Sequence, residues 1–531
     1  MVNHLLKRVL LTVAAAALAI AAVAVPAGSA VAGGSGQQAS YLVVLKQSDQ
    51  ASGVKAIERA GGKVLKLNKL GIATASSSDP AFASTLRSLG AVEEVGSEGG
   101  WQLQPLSITQ VPPPVPGPQM AADCAAQYGV SVAVGPDRLS ACQWDMRIIN
   151  SSPVGSYAVN RGAGATIGII DTGIDFTHPD IAPNLDLGLS CSFITPGNPT
   201  ALPEEIDPTG PACQTKSATQ DLFGHGTHVA GIAAAPINGI GVAGVAPEAT
   251  LVSLKVCTAG GLCFTQEVVD ALTYAGDKGL DVANMSLFAD PFLFNCRNQA
   301  DQRAIVKAIS RATQYASQHG VVVVAAAGNE ATDLAHPVTD ETSPDFPPGG
   351  AVTRNVGNQC IVLPQELPGV ATVSAIGPQA TLSFYSNFGN AAVDVTAPGG
   401  SSGQAPNPFG RVLNAWGAEA PRLNTTLRRL VEECAPVGGK TVCALYGWIQ
   451  GTSMASPHAA GVAALIRAAH PGMPPSSVIA RLQNTAMPMV CEVQQDPLAA
   501  PRQCTGDGSS GQGHTNFYGS GLVDALAAGQ R

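Results

Sequence analysis

The chain has 531 residues, of which 45% are hydrophobic and 13% charged, with 59 Gly and 39 Pro. That balance excludes a disordered, charge-rich chain and fits a loop-rich globular protein long enough to bury more than one core. The formal net charge of -9 gives no electrostatic reason to expect a nucleic-acid partner.

Lys7 and Arg8 precede an apolar run from Val9 to Val25, which ends at Pro26. The small residues Gly28-Ser29-Ala30 and Ala30-Val31-Ala32 follow and fit signal-peptidase cleavage, so residues 1–32 read as a secretory signal rather than a membrane anchor. No second long apolar segment occurs, and the mature protein is expected to be extracellular and free of the membrane. All 12 cysteines lie beyond the signal, at 124, 142, 191, 213, 257, 263, 296, 360, 434, 443, 491 and 504. In an exported chain they read as disulfides. Sequence alone does not fix the connectivity; pairing of neighbours is the preferred arrangement because it staples local loops.

Residues 38–106 contain no cysteine and read as a separate α+β unit. Ser40–Lys46 has strand character, Gln50–Ala60 helical spacing, and Lys63–Ala75 suggests two strands around a turn at Lys69–Gly71. Asp79-Pro80 is expected to open a second helix with Pro in its first turn, and Gly90–Gly96 to form a last strand. The order βαββαβ is that of a ferredoxin-like unit. The run VPPPVPGPQ, residues 111–119, then reads as an extended linker open to cutting, within a linker and arm spanning 107–142. From Gln143 onward apolar strands alternate with helices. The strands are expected at Thr166–Ile170, Thr250–Val256, Val282–Met285 and Val321–Ala326, the helices at His228–Ala234, Thr265–Lys278 and Ala300–Gln318. This is the pattern of an α/β domain with a covered parallel sheet.

Three motifs stand at strand or helix ends: GIIDTGIDFTHPD with Asp171, GHGTHVAGI with His225, and GTSMASPHAAGVAAL with Ser453. Taken singly they have bland explanations, as a cap, a turn residue and a helix N-cap. Together they supply what acyl transfer needs. A serine hydroxyl is a weak nucleophile until an imidazole takes its proton. A carboxylate then holds that imidazole in one tautomer. With the order Asp, His, Ser and with long matches around each residue, residues 143–531 resemble the subtilisin-like serine proteases. GVVVVAAAGNE agrees with the resemblance, which gives Asn329 the role of oxyanion donor beside the backbone N–H of Ser453.

The resemblance implies a three-layer subtilisin-like α/β fold with a central parallel sheet, spanning 143–531. It also likens residues 38–106 to an inhibitory ferredoxin-like prodomain, cleaved from the enzyme near residues 105–122. The implied product is a secreted, monomeric serine endopeptidase acting on proteins or peptides, with its own propeptide as inhibitor and folding aid. Substrate is expected to pair with Gly261, Leu262 and Cys263 on one side, next to a Cys257–Cys263 bridge, and with the segment carrying Ser286 and Leu287 on the other. Here the chain departs from the family: Phe288-Ala289-Asp290 replaces the usual paired glycines, an insertion runs to Arg303, and further residues extend through Glu366. A structural Ca²⁺ is implied at Asp180 and Asn238, by side chain, and at Pro236, Ile240 and Val242, by carbonyl, with Gln143 as a sixth ligand. No cofactor is implied for catalysis. His178, His228 and His458 read as structural. The alternatives are a dedicated processing protease for one partner protein and a non-catalytic secreted binding scaffold.

Overall fold

The computed structural model describes residues 38–98, 100–102, 113–195, 198, 201–210, 213–287, 292–343, 351–420, 429–437, 439–491, 496–506 and 513–530. The expected signal segment, the Phe288-Ala289-Asp290 departure and part of the 331–366 insertion lie outside these residues.

Strand β1, Ala39–Leu45, shows how the first unit is built. Its inward residues alternate, so that Val43 and Leu45 pack under helices α1 (Gln50–Arg59) and α2 (Phe82–Ser88) with Ile57, Phe82 and Leu86. On its other face Leu42 and Val44 join a second core that belongs to the larger domain. β2 (Lys63–Leu67), β3 (Ile72–Ser77) and β4 (Val92–Ser97) complete an antiparallel sheet in the order β2-β3-β1-β4. Pro80 is not in the first turn of α2, contrary to expectation. Asp79 instead makes a turn there, its carboxylate accepting from Ala81 N–H and its carbonyl from Phe82 N–H. A short strand β5, Gly100–Gln102, leaves this sheet.

From Val115 on, the proline-rich segment is more ordered than its composition suggests. Val115–Pro116 pairs as a strand, and Gly117–Tyr128 forms helix α3 with proline in its first turn.

The larger domain is organised around a seven-stranded parallel sheet. Its strands are β6 (Thr166–Asp171), β7 (Cys191–Ser192), β8 (Thr250–Lys255), β10 (Val282–Met285), β11 (Val322–Ala326), β12 (Val370–Ile376) and β13 (Val395–Pro398), ordered β13-β12-β11-β10-β6-β8-β7. Most of these strands are fully buried, the mark of a parallel sheet covered on both faces. Helices α5 (Thr265–Lys278) and α6 (Ala300–Gln318) cover one face and are overlain by the first unit; α4 (His225–Ala234) and α7 (Thr452–Ala469) cover the other. Between β13 and α7 the chain inserts β14 (Val412–Ala415) and a long hairpin, β15 (Leu430–Val437) and β16 (Lys440–Ile449). Val115 and Val431 pair across its edge. Six disulfides join sequence neighbours, as preferred: 124–142, 191–213, 257–263, 296–360, 434–443 and 491–504.

Candidate active site

Asp171 is the last residue of β6, the strand flanked by β8 and β10, where the strand order reverses. In open α/β sheets that reversal opens a crevice at the carboxyl ends of the strands. The Asp171 side chain is fully buried, and its Oδ1 accepts from Thr172 N–H at 2.8 Å. Oδ1 also faces His225 Nδ1 at 2.8 Å, at the start of α4. Asp221, also fully buried, ties this corner together. Its Oδ1 accepts from Thr172 Oγ1 and from Phe223 and Gly224 N–H, while its Oδ2 accepts from Thr227 N–H and Oγ1. Burial alone would push the His225 imidazole down, but the Asp171 carboxylate, by charge and hydrogen bond, and the Asp221 charge outweigh it and hold it above 6.5.

Ser453 lies in the first turn of α7, whose leading N–H groups have no partner within the helix. Its Oγ donates to the Ser286 carbonyl at 3.2 Å, and Ser286 Oγ donates back to the Ser453 carbonyl at 2.9 Å. Among the described residues no hydrogen bond joins Ser453 to His225, so the hydroxyl is turned onto Ser286 here. Asn329 follows β11. Its Oδ1 accepts from Thr452 N–H and Thr452 Oγ1, both at 2.9 Å. A backbone N–H can only donate, which fixes the amide orientation and leaves Nδ2 as the free donor. A methyl group placed on Gly451 would lie 3.6 Å from Ser453 N and 3.8 Å from Asn329 Nδ2, so the two donors border one space.

The cleft edge is also built. Gly261 turns the chain, with its N–H on the Thr258 carbonyl, into β9 (Leu262–Phe264), and the 257–263 bridge ties the turn's two sides. β5 of the first unit pairs antiparallel with β9: Gln102 opposite Leu262, Trp101 opposite Cys263, Gly100 opposite Phe264. On the opposite side Ser286 and the buried Leu287 continue from β10, and Asn284 Nδ2 holds Ser286 Oγ at 2.9 Å. The insertion beyond them has its own small core of Leu293, Phe294, Leu334 and Val362 around the 296–360 bridge. Asp340, fully buried, pairs with Arg354 and accepts from Ser343 at 2.7 Å, which fastens this lobe.

Of the residues expected to hold calcium, Asp180 bonds Val242 and Asn238 bonds Ile240. Asp180 is fully buried, its Oδ2 accepting from Val242 N–H at 2.9 Å and from the Tyr446 hydroxyl at 3.1 Å, while Oδ1 is buried without a partner. The carbonyls of Pro236, Ile240 and Val242 accept no hydrogen bond among the described residues. Three bare carbonyls and an orphaned carboxylate oxygen are the donor chemistry of a hard cation. Asn238 is exposed, with Oδ1 accepting from Ile240 N–H. Gln143, the sixth ligand expected, bonds both backbone groups of Ala243, its Nε2 donating at 2.7 Å and its Oε1 accepting at 3.1 Å, which leaves that oxygen a second lone pair. Among the described residues no three His, Cys, Asp or Glu side chains cluster around one point for a metal, so such a site would depend on carbonyl oxygens.

Sequence reasoning passed over Asp137, whose Oδ1 caps Asn238 and Gly239 N–H at 3.1 and 2.7 Å. It also missed the 430–449 hairpin, although two apolar runs around Gly438-Gly439 signal one. That hairpin receives two of the histidines read as structural: His178 meets the Leu445 carbonyl and His228 the Gly447 carbonyl, each at 3.0 Å. Burial is the main cause that pushes His228 down to about 3, keeping it neutral. His458 is buried against Asp145 at 3.1 Å.

Comparison with known proteins places this geometry in context. The family model described as "Subtilase family" matches residues 162–521. M-protease of Shouchella clausii (strain KSM-K16) is 30% identical over 367 residues, covering 69% of this chain and 64% of that protein. Subtilisin Savinase of Lederbergia lenta is 30% identical over 367 residues, covering 69% of this chain and 91% of that protein. Two solved structures share the fold at a TM-score of 0.61 and 21% identity. One is the epidermin leader peptide processing serine protease of Staphylococcus aureus, covering 93% of this chain and 98% of that one. The other is fervidolysin of Fervidobacterium pennivorans, covering 93% of this chain and 61% of that one. With a family match that takes in Asp171, His225, Asn329 and Ser453, the chain belongs to the subtilase family.

Proposed function

We propose that this protein is a secreted serine endopeptidase made as a self-processing zymogen. The observation that carries the reading is the 2.8 Å His225–Asp171 contact at the sheet's switch point, with Ser453 and Asn329 at the same crevice. Ser453 Oγ leaves the Ser286 carbonyl, transfers its proton to His225 Nε2 and attacks the peptide carbonyl. Asp171 holds Nδ1–H and stabilises the imidazolium. The oxyanion accepts from Asn329 Nδ2 and Ser453 N–H. His225 then protonates the leaving amine, and water hydrolyses the acyl-enzyme by the reverse proton path. Catalysis needs no cofactor in this scheme. Bound calcium would supply charge to the 236–242 loop, held by Asp180, Asn238 and the three carbonyls.

Residues 38–106 act as an inhibitory prodomain of the ferredoxin-like type. Two things support this: the βαββαβ order, and strand β5 lying along β9 where substrate is expected. Since residues from Val115 onward are held by α3 and the hairpin, cleavage is assigned between Gln102 and Val115. Signal-directed export agrees with the disulfides. No helix among the described residues is long and apolar enough to cross a membrane. The mature enzyme is read as a monomer acting on protein or peptide chains. To test the zymogen reading, the full chain and Ser453→Ala are purified and followed by mass spectrometry. The wild type is expected to release a prodomain fragment while the variant stays intact; fragmentation of both at the same rate overturns it.

The lobe built on Leu293, Phe294, Leu334 and Val362 favours one narrower form of this reading, a dedicated processing protease for one partner protein. A random peptide library separates the two: broad cleavage counts against a dedicated enzyme, and a single tolerated motif supports one.

A further inference from the structure

The loop that presents Asn329 is held by a side chain from a distant part of the chain. Asn387 follows β12 and is fully buried. Among the described residues, all four of its side-chain hydrogen bonds end on residues 327–332. Oδ1 accepts from Glu330 N–H at 3.1 Å and Thr332 N–H at 2.9 Å, and Nδ2 donates to the Ala327 carbonyl at 3.0 Å and to Glu330 Oε2 at 2.7 Å. Its own backbone N–H donates to the Gly328 carbonyl at 3.0 Å. Two backbone donors and one backbone acceptor leave the amide a single satisfied orientation. The loop is wrapped so closely that a Cβ on Gly328, at φ +101°, would stand 2.4 Å from Asn387 Nδ2. These five bonds flank Asn329 on both sides without touching it.

An oxyanion donor contributes only when it already stands where charge will develop, and a shift near 1 Å in such a group costs about 100-fold in rate. Thr452 fixes the Asn329 side chain and accepts from Gly328 N–H, and the Tyr385 carbonyl accepts from Ala331 N–H. Asn387 is the side chain that ties the backbone on both sides of Asn329. We propose that Asn387 is the positioning residue of the oxyanion loop, setting the place of Asn329 Nδ2 through its bonds to Ala327, Glu330 and Thr332. This rests on Asn329 being the oxyanion donor.

Asn387→Asp keeps Oδ1 and turns the Nδ2 donor into an acceptor that faces the Ala327 carbonyl and Glu330. The expected result is a kcat lowered about tenfold or more with KM within about twofold. Affinity for a peptide boronic acid should fall in parallel with kcat/KM, while affinity for the matching product peptide holds. Adding Glu330→Gln returns a donor to that contact and is expected to recover a large part of the lost kcat. A merely structural asparagine would lower thermal stability without this split or this rescue. The proposal is overturned if folded Asn387→Asp keeps kcat and boronate affinity within twofold of wild type, or if product affinity falls equally. Should Asn387→Asp not fold, Glu330→Ala removes one bond and is expected to give the same split at smaller size; no split there overturns it too. A folded wild type that neither hydrolyses peptide nor binds the boronate refutes the serine-protease reading itself, and the proposal falls with it.

Discussion

At His225 two opposing effects set the chemistry. Burial penalises the charged imidazole, yet Asp171 and Asp221 together raise its proton affinity above the ordinary 6.5. A general base must be neutral to accept the serine proton, so a raised value moves the loss of activity upward in pH. The kcat/KM of the mature enzyme is therefore expected to fall as pH drops through a point above 6.5, measured with a neutral peptide substrate; an inflection at or below 6.5 counts against the geometry. Asn329 gives a second prediction at this scale. On the proposed mechanism Asn329→Ala removes one of two oxyanion donors and should lower kcat about 100- to 1000-fold with KM little changed. Equal losses in kcat and in product binding would assign Asn329 to substrate binding instead.

The edge strand β9 is short, and its turn is closed by the 257–263 bridge, with only six residues of separation. By loop-closure arithmetic such a bridge is worth about 2 kcal/mol. A Cys257→Ser, Cys263→Ser enzyme is expected to lose roughly that much stability in urea unfolding and to show a raised KM for long peptides but not for short ones. A KM unchanged for long peptides would deny β9 its role as a pairing edge. Elements of this kind were partly legible beforehand. Helices α5 and α6 begin and end at the residues expected, because their apolar spacing and flanking strands are local signals. The motifs around Asp171, His225 and Ser453 are readable for the same reason, each lying within one short stretch. What escaped was nonlocal. Val115–Pro116 reads as linker until β15 offers it a partner. Asn387 carries no motif at all, since its role exists only where the chain folds back on residues 327–332.

The first unit sits on α5 and α6 through charge as well as through β1. Arg311 bonds the Leu45 and Leu70 carbonyls and pairs with Glu93, while Lys307 and Arg303 meet Glu93 and Glu94. One part of the contact is crowded with acid: Glu98 from the first unit faces Glu267 and Asp270 of α5, and Lys66 is the cation among them, 2.7 Å from Asp270. Burial raises Glu98 against the Ser40 and Thr74 hydroxyls and Lys66, and burial opposed by Lys66 but reinforced by Glu98 brings Glu267 to about 7. Groups whose proton affinity rises on docking favour the docked state below their free values and cease to do so as pH climbs through about 7. On the zymogen reading, the cleaved first unit should thus be retained more firmly at pH 5.5 than at pH 8.5, read by size exclusion, and Glu267→Gln should flatten the difference. Chelation is the matching test for the 236–242 loop: excess EGTA is expected to lower the melting temperature of the mature enzyme by several degrees, reversibly with added Ca²⁺, and no change would empty the site of that role. The central claim, that Ser453 is a nucleophile activated by His225, is tested most directly by a fluorophosphonate and peptide mapping. One adduct per mature chain, on Ser453 and abolished by His225→Ala, is the predicted result; a folded enzyme with no adduct, or with the adduct on another serine, would contradict it.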